Sequence, residues 1–305
     1  MMGQRSRLRR LVVATDFSAG GGDAVARALR LPLAPGAEII LLHVVPHQWS
    51  ASAEERHVAN SRASLDRALP TARDLLETSG QRATVTAEVV RGTPHVEIVR
   101  RAQSLDAELI VVGRHGKRRL VDPFVGSTAT RIVHSGDCPV LLVAGPPERA
   151  YQRPLLATDL EDSAHRLVRL ASNVLDEDVE LRVVHTVTTD DIGTPLARAE
   201  LARASGRMDR FLEAERRRIR ISGRVRTGGV AWAILEEAKS TAADLLLLGT
   251  YAESFVARAL LGSSNDQVIA HAPCDVLVGP PVRRLHVDLA SSPARARVTG
   301  HGRRP

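Results

Sequence analysis

Apolar residues in this chain gather in short dense runs, and amphipathic stretches separate them. In the first half the runs fall at 11–15, 38–45, 84–90, 109–113 and 139–143. They are rich in Val, Ile and Leu, which marks strands buried on both faces. Between them, apolar positions recur at helical spacing near 22–31, 54–78, 95–104 and 127–135. Strand runs return near 154–158, 179–187, 219–226, 244–249 and 275–278. Strands alternating with helices predict a parallel sheet covered on both faces and joined by right-handed crossovers.

The pattern is written twice. ELIVVGRHG at 108–116 returns as DLLLLGTYA at 244–252, and VGSTATRIVHSGDCPVLLV at 125–143 returns as LGSSNDQVIAHAPCDVLVG at 261–279. The offset holds at 136 from Gly92 and Gly228 to Cys138 and Cys274, and further upstream Asp16 answers Asp159. A constant register over such a length is a tandem duplication. The pattern stops around Pro146, Pro147, Glu148 and Arg149, a linker signal. The expected organisation is therefore a first domain over 1–147, a second over 148–282, and a basic, disordered tail over 283–305.

Charge changes this picture little. The formal +7 sits at the ends: Arg5, Arg7, Arg9 and Arg10 open the chain, and residues 281–305 carry a net +5, which leaves the body near −2. A nucleic-acid surface calls for a basic patch on the folded body, so neither nucleic acid nor a membrane is an expected partner. No apolar stretch nears the ~18 residues of a membrane span. Cys138 and Cys274 are too few for a disulfide framework or a metal site, and a cytoplasmic location is expected.

Candidate chemistry concentrates at 112–133, VGRHGKRRLVDPFVGSTATRIV. Gly113 ends a strand, Gly116 follows it, and Gly126 precedes Ser127 and Thr128 where a helix opens. Ligands of open parallel sheets bind beyond the carboxyl ends of strands, where the strand order reverses. Asp16 and Gly113 stand at two such ends. Glycines let backbone amides approach an anion closely, and a helix N-terminus offers free N–H groups and a positive dipole end. Lys117, Arg118 and Arg119 lie in the insert. The spacing is neither a Walker loop nor the Gly-x-Gly-x-x-Gly fingerprint.

The set Gly113, Gly116, Gly126 and Ser127 resembles the nucleotide-binding pattern of the universal stress protein family. VVATDFS, LLHVV and CPVLLV are similar to that family's first, second and fifth strands, and the resemblance covers residues 8–145 and 151–280. It implies an α/β fold of the adenine-nucleotide alpha-hydrolase-like (HUP) type: two tandem open five-stranded parallel sheets of order 3-2-1-4-5. It implies ATP, with Mg as an optional companion, as the cofactor of many but not all members. Carried over, Asp16 holds the nucleoside end and the Val44 backbone reads adenine, with Ala14 and Val112 completing the set. The amides of Gly113, His115, Gly116, Gly126, Ser127 and Thr128 hold ribose and phosphates. The family's fifth strands often meet edge to edge. Here PVLLV and DVLVG are apolar edges, so the two copies are expected to pair through them, with a homodimer of chains as the favoured further assembly.

The second copy departs from the pattern. Gly249 and Gly262-Ser263 remain, but Ala252 replaces the middle glycine, Tyr251 precedes it, and the insert carries Glu253 against Arg258. One nucleotide per chain, in the first copy, is the expectation. Simpler roles stand beside these. Asp16 can cap the first helix or its loop, and Ser127 can be only a helix cap. Gly20-Gly21-Gly22 reads as a flexible turn, His43 and His185 as packed structural histidines, and both cysteines as small buried hydrophobes. The function expected is an ATP-binding regulator of the stress response working with a regulatory protein partner. No catalytic residue is assigned, although slow ATP hydrolysis or autophosphorylation on Ser127 stays open. The alternative is a protein-interaction scaffold that binds no nucleotide.

Overall fold

The computed structural model describes residues 7–47, 51–116, 125–135, 138–189, 193–249 and 264–280. Lys117–Arg119, Tyr251, Ala252, Glu253, Arg258, Gly262, Ser263 and the basic tail lie outside these residues. The first half runs β1 (Leu8–Ala14), α1 (Ala19–Ala28), β2 (Leu33–Val45), α2 (Ala51–Thr78), β3 (Ala83–Arg91), α3 (Pro94–Ser104), β4 (Leu109–Gly113), α4 (Ser127–Ser135) and β5 (Val140–Val143). The second runs β6 (Pro154–Ala157), α5 (Asp162–Val174), β7 (Leu181–Val187), α6 (Pro195–Glu215), β8 (Ile221–Thr227), α7 (Val230–Ser240), β9 (Leu245–Gly249), α8 (Ser264–His271) and β10 (Asp275–Gly279).

Within each half the strands are parallel, and the two expected sheets merge into one of order β3-β2-β1-β4-β5-β10-β9-β6-β7-β8. Among the described residues the junction is the one antiparallel pairing, β5 against β10, with Val140 opposite Val278 and Leu142 opposite Val276. Each edge thus covers the other's unpaired N–H and C=O groups. The β5 edge is occupied within the chain by β10.

Alternation along the strands divides the core. Leu11, Val13, Leu109, Val111, Leu141 and Leu277 point to one face, packed under α1, α2, α5 and α6. Val12, Ile110, Val112, Val140, Leu142 and Val276 point to the other, under α3, α4, α7 and α8. Both cores run across the junction, so burial of apolar area holds the halves together as it holds each one.

A buried polar knot spans the junction. Asp275, 5% exposed, opens β10. Its carboxylate accepts from Arg27 Nε at 2.9 Å, Tyr151 Oη at 2.6 Å and the Ala144 amide at 2.8 Å. Arg27 stacks over the Tyr151 ring at 4.1 Å and donates Nη1 to the Arg149 carbonyl at 2.8 Å. Burial first, then the Asp275 charge, raises the Tyr151 phenol well above its ordinary value. Arg114 also crosses the junction, donating Nη1 to the Ala272 carbonyl at 2.7 Å.

The triple glycine corrects an expectation. Gly20, Gly21 and Gly22 form no flexible turn; they lie in the first turns of α1, capped by Ser18, whose Oγ accepts from the Gly21 amide at 3.1 Å. Glycine inside a helix costs about 1 kcal/mol relative to alanine. Space explains its presence here: a Cβ on Gly20 would lie 2.2 Å from the His115 carbonyl oxygen, and one on Gly21 would lie 2.8 Å from Thr15 Oγ1. The helix starts pressed against the ends of β1 and β4.

Candidate functional site

Strand order reverses between β1 and β4, and the crevice this creates is a cleft of 820 Å³ at their carboxyl ends. All ten sequence-selected residues line it: Ala14, Asp16, Val44, Val112, Gly113, His115, Gly116, Gly126, Ser127 and Thr128. Residues that are up to 114 positions apart in the chain therefore face one space.

The glycines serve different ends. None of Gly113, Gly116 or Gly126 has a positive φ, so space and not left-handed backbone calls for them. A Cβ on Gly113 would meet Gly20 backbone at 2.5 Å, so packing of α1 demands that glycine. A Cβ on Gly116 would meet Asp16 Oδ2 at 3.2 Å, and one on Gly126 would meet the Arg114 carbonyl oxygen at 3.4 Å and the Gly116 amide nitrogen at 3.8 Å. Gly116 keeps the floor between the loop and Asp16 open.

Asp16 divides its carboxylate. Oδ1 accepts from the Ser18 amide at 3.0 Å and from Ser18 Oγ, closing the turn that leads into α1, while the helix cap itself is Ser18. Oδ2 is the oxygen nearest Gly116. Phe17, next in the chain, adopts φ 61° and is 42% exposed, with its ring 4.5 Å from the His43 ring. His43 Nδ1 lies 2.7 Å from the Thr15 carbonyl, so it is a positioned structural histidine that also lines the cleft.

At the far end α4 opens with Ser127 as its first residue. Gly126 is the cap, since its carbonyl accepts from the Thr130 amide at 3.0 Å, so Ser127 has no capping role. The Gly126 amide is itself spent on the Arg114 carbonyl at 2.8 Å. The Ser127 and Thr128 amides belong to the first turn, which no preceding helical carbonyl can serve, and α4 has no acidic side chain in that turn. The arrangement suits an anion at the α4 end and a hydrogen-bonding group at Asp16.

Sequence reasoning missed one wall. His57, Asn60, Ser61 and Ser64 of α2 also line the cleft. Their spacing of three, one and three is a single helical face, and a scan for short polar side chains at that period would have found it.

The family model for the universal stress protein family matches residues 7–144 and again 150–280. The chain belongs to this family. A universal stress protein of Mycolicibacterium smegmatis is 27% identical over 296 residues, covering 89% of this chain and 97% of that protein. The crystal structure of a universal stress protein from Archaeoglobus fulgidus superposes with a TM-score of 0.67 at 20% identity, covering 90% of this chain and 97% of that one, a likeness of fold. A universal stress protein solved in complex with cAMP matches at 28% identity and a TM-score of 0.31, covering 44% of this chain and 99% of that one. Among the described residues, no helix is long and apolar enough to cross a membrane, and no group of three or more His, Cys, Asp or Glu is placed to hold a metal ion.

Proposed function

We propose that the first-half cleft binds ATP and that the protein acts as a nucleotide-dependent, cytoplasmic regulator in the stress response. The observation that carries this reading is the pairing of two groups across one cleft: the first-turn amides of α4, a turn without an acidic side chain, and Asp16 Oδ2 across the open floor at Gly116. The amides of Ser127 and Thr128 take phosphate oxygens, and Asp16 Oδ2 takes a nucleoside hydroxyl or amino group. Val44 and Val112, both buried, supply apolar contact for a base. Asp16 is the one carboxylate among the described lining residues and its Oδ1 is committed to Ser18, so a Mg ion accompanying ATP would draw little from the protein and would serve to neutralise phosphate charge.

Titration calorimetry tests the reading. ATP should bind one site per chain with a micromolar dissociation constant, about −8 kcal/mol. Absence of binding at millimolar ATP overturns it. Titration with cAMP alongside ATP separates a triphosphate site from one that takes a cyclic monophosphate.

A further inference from the structure

The second half has a cleft of its own, 360 Å³ in volume, at the carboxyl ends of β6, β7 and β9. Val184, Val230, Ile234 and Leu248 give it apolar walls. Among them lies Thr186 Oγ1, a buried hydroxyl oxygen with no hydrogen-bond partner. Such a group costs free energy that a ligand atom facing it recovers.

The neighbour of Thr186 is not available as that partner. His185 Nδ1 lies 2.9 Å from the Thr158 carbonyl, which can only accept, so Nδ1 carries the proton. Nε2 is then the acceptor for Arg207 Nη2 at 3.1 Å. The same histidine-to-carbonyl bond fixes His43 in the first half, where Val44 stands in the place of Thr186. The hydroxyl is the new element.

The end of the cleft equivalent to the α4 side is closed to phosphate by three features. Leu167, which aligns with Ala24, fills it: a Cβ on Gly249 would lie 3.2 Å from Leu167 Cδ1, and one on Gly279 would lie 2.5 Å from Cδ2. Asn265, at the position of Ala129, donates Nδ2 to the Gly249 carbonyl at 2.9 Å. Asp266 stands in the first turn of α8, so a carboxylate already answers the positive end of that helix. Asp159, the counterpart of Asp16, is the one charged side chain among the described lining residues, so the cleft offers no cation to a phosphate.

We propose that this second cleft binds an uncharged, phosphate-free heterocycle of nucleoside size, held between the apolar walls and hydrogen-bonded to Thr186 Oγ1. The volume lies at the lower end of the ~300–1,000 Å³ span of small-molecule sites. The choice of a nucleoside as the class rests on reading the first cleft as a nucleotide site.

Adenosine titrated into the full chain, with ATP saturating, is the test. The expected result is one further adenosine per chain. Thr186→Val, which keeps the shape and removes the hydroxyl, should weaken it about tenfold. Val230→Trp, at the partly exposed rim, should abolish it, and both variants should keep wild-type ATP binding and melting temperature. Adenosine that binds only by displacing ATP, ATP filling both clefts, or a Thr186→Val chain with wild-type adenosine affinity would each overturn the proposal. Should the chain bind no ATP, adenosine is titrated alone into Thr186→Val and Gly116→Val. Loss in the first variant only keeps this inference while the reading of the first cleft falls, and loss in the second only overturns it.

Discussion

The two halves of the chain share the geometry of their turns and differ in the lining of their clefts and at the junction between them. Phe17 and Leu160 take the same unusual backbone, φ 61° and 67°, at the turn after the first strand of each half. Gly92 and Gly228 share positive φ, 145° and 119°, before the third helix. His43 and His185 make the same bond to the preceding turn. A non-glycine residue at positive φ invites a functional explanation. Its presence in both halves, whose clefts differ in lining and volume, assigns it to the architecture. The differences are elsewhere: Gly20 backbone against Gly113 in one half, the Leu167 side chain against Gly249 in the other; no acid at the start of α4, Asp266 at the start of α8. Duplication within one chain thus acts as its own control.

The junction breaks the symmetry most. Asp275 aligns with Pro139, so the buried knot exists once and not twice. Asp275→Ala would leave Arg27 buried with its charge uncompensated, at a cost of about 3–5 kcal/mol measured by chemical denaturation. Pro139→Ala at the matching position should cost far less. Replacing both members, Arg27→Met with Asp275→Leu, should recover much of the loss, since an apolar pair of similar volume removes the stranded charge. A single Asp275→Ala as stable as the wild type would mean the halves are held by the β5–β10 ladder and the apolar cores alone.

Next in size is the first cleft. Gly116→Val places branched carbon where a Cβ already meets Asp16 Oδ2 at 3.2 Å. It should lower ATP affinity about 100-fold, near 2.7 kcal/mol, with an unchanged fold by circular dichroism. Gly262→Val, in the second half, should leave ATP stoichiometry at one per chain. Two equal ATP sites in the wild type would erase the distinction between the halves.

Much of this was legible in the sequence. Strand runs of Val, Ile and Leu need no partner to be recognised, and the repeat fixed which runs correspond. The apolar fifth strands announced an edge in need of cover. The cleft's ten residues were also readable, because strand ends and helix starts are local signals. What stayed hidden depends on packing between distant segments. Nothing local to Gly20 or Gly113 says that the two touch, so a helix start read as a loose turn and the packing demand on Gly113 went unseen. The Arg27–Asp275–Tyr151 knot joins residues 124 and 248 positions apart, with no period to betray it.

Those two packing glycines offer a smaller, sharper comparison. Gly113→Ala drives a methyl into Gly20 backbone at 2.5 Å, which cannot swing aside, while Gly249→Ala meets only the end of Leu167 at 3.2 Å. The first should cost about 1–3 kcal/mol and the second less than about 1 kcal/mol, read as shifts in denaturation midpoint at constant m-value. Equal costs would show that α5 sits as tightly on its sheet as α1 does.

The smallest effect is expected at the cysteines, where the halves should behave alike for partly different reasons. Burial pushes the Cys138 thiol up to about 12, and its Sγ donates to the Ala107 carbonyl at 3.2 Å. Burial, with the Asp275 and Asp244 charges behind it, pushes Cys274 up to about 12 as well. At pH 8 only about one thiol in ten thousand is then the reactive thiolate, so neither should alkylate in the native chain. The linkage has a definite sign. An unfolded thiol loses its proton above its ordinary value of 9.0, whereas the folded one keeps it to about 12. Between those limits the unfolded chain binds fewer protons, so stability should fall as pH rises. Mass spectrometry after iodoacetamide at pH 8 reads the first effect directly. Labelling at Cys274 with Cys138 protected would show that β10 opens locally while the first half stays closed, making the junction the weakest element of the sheet instead of its tie.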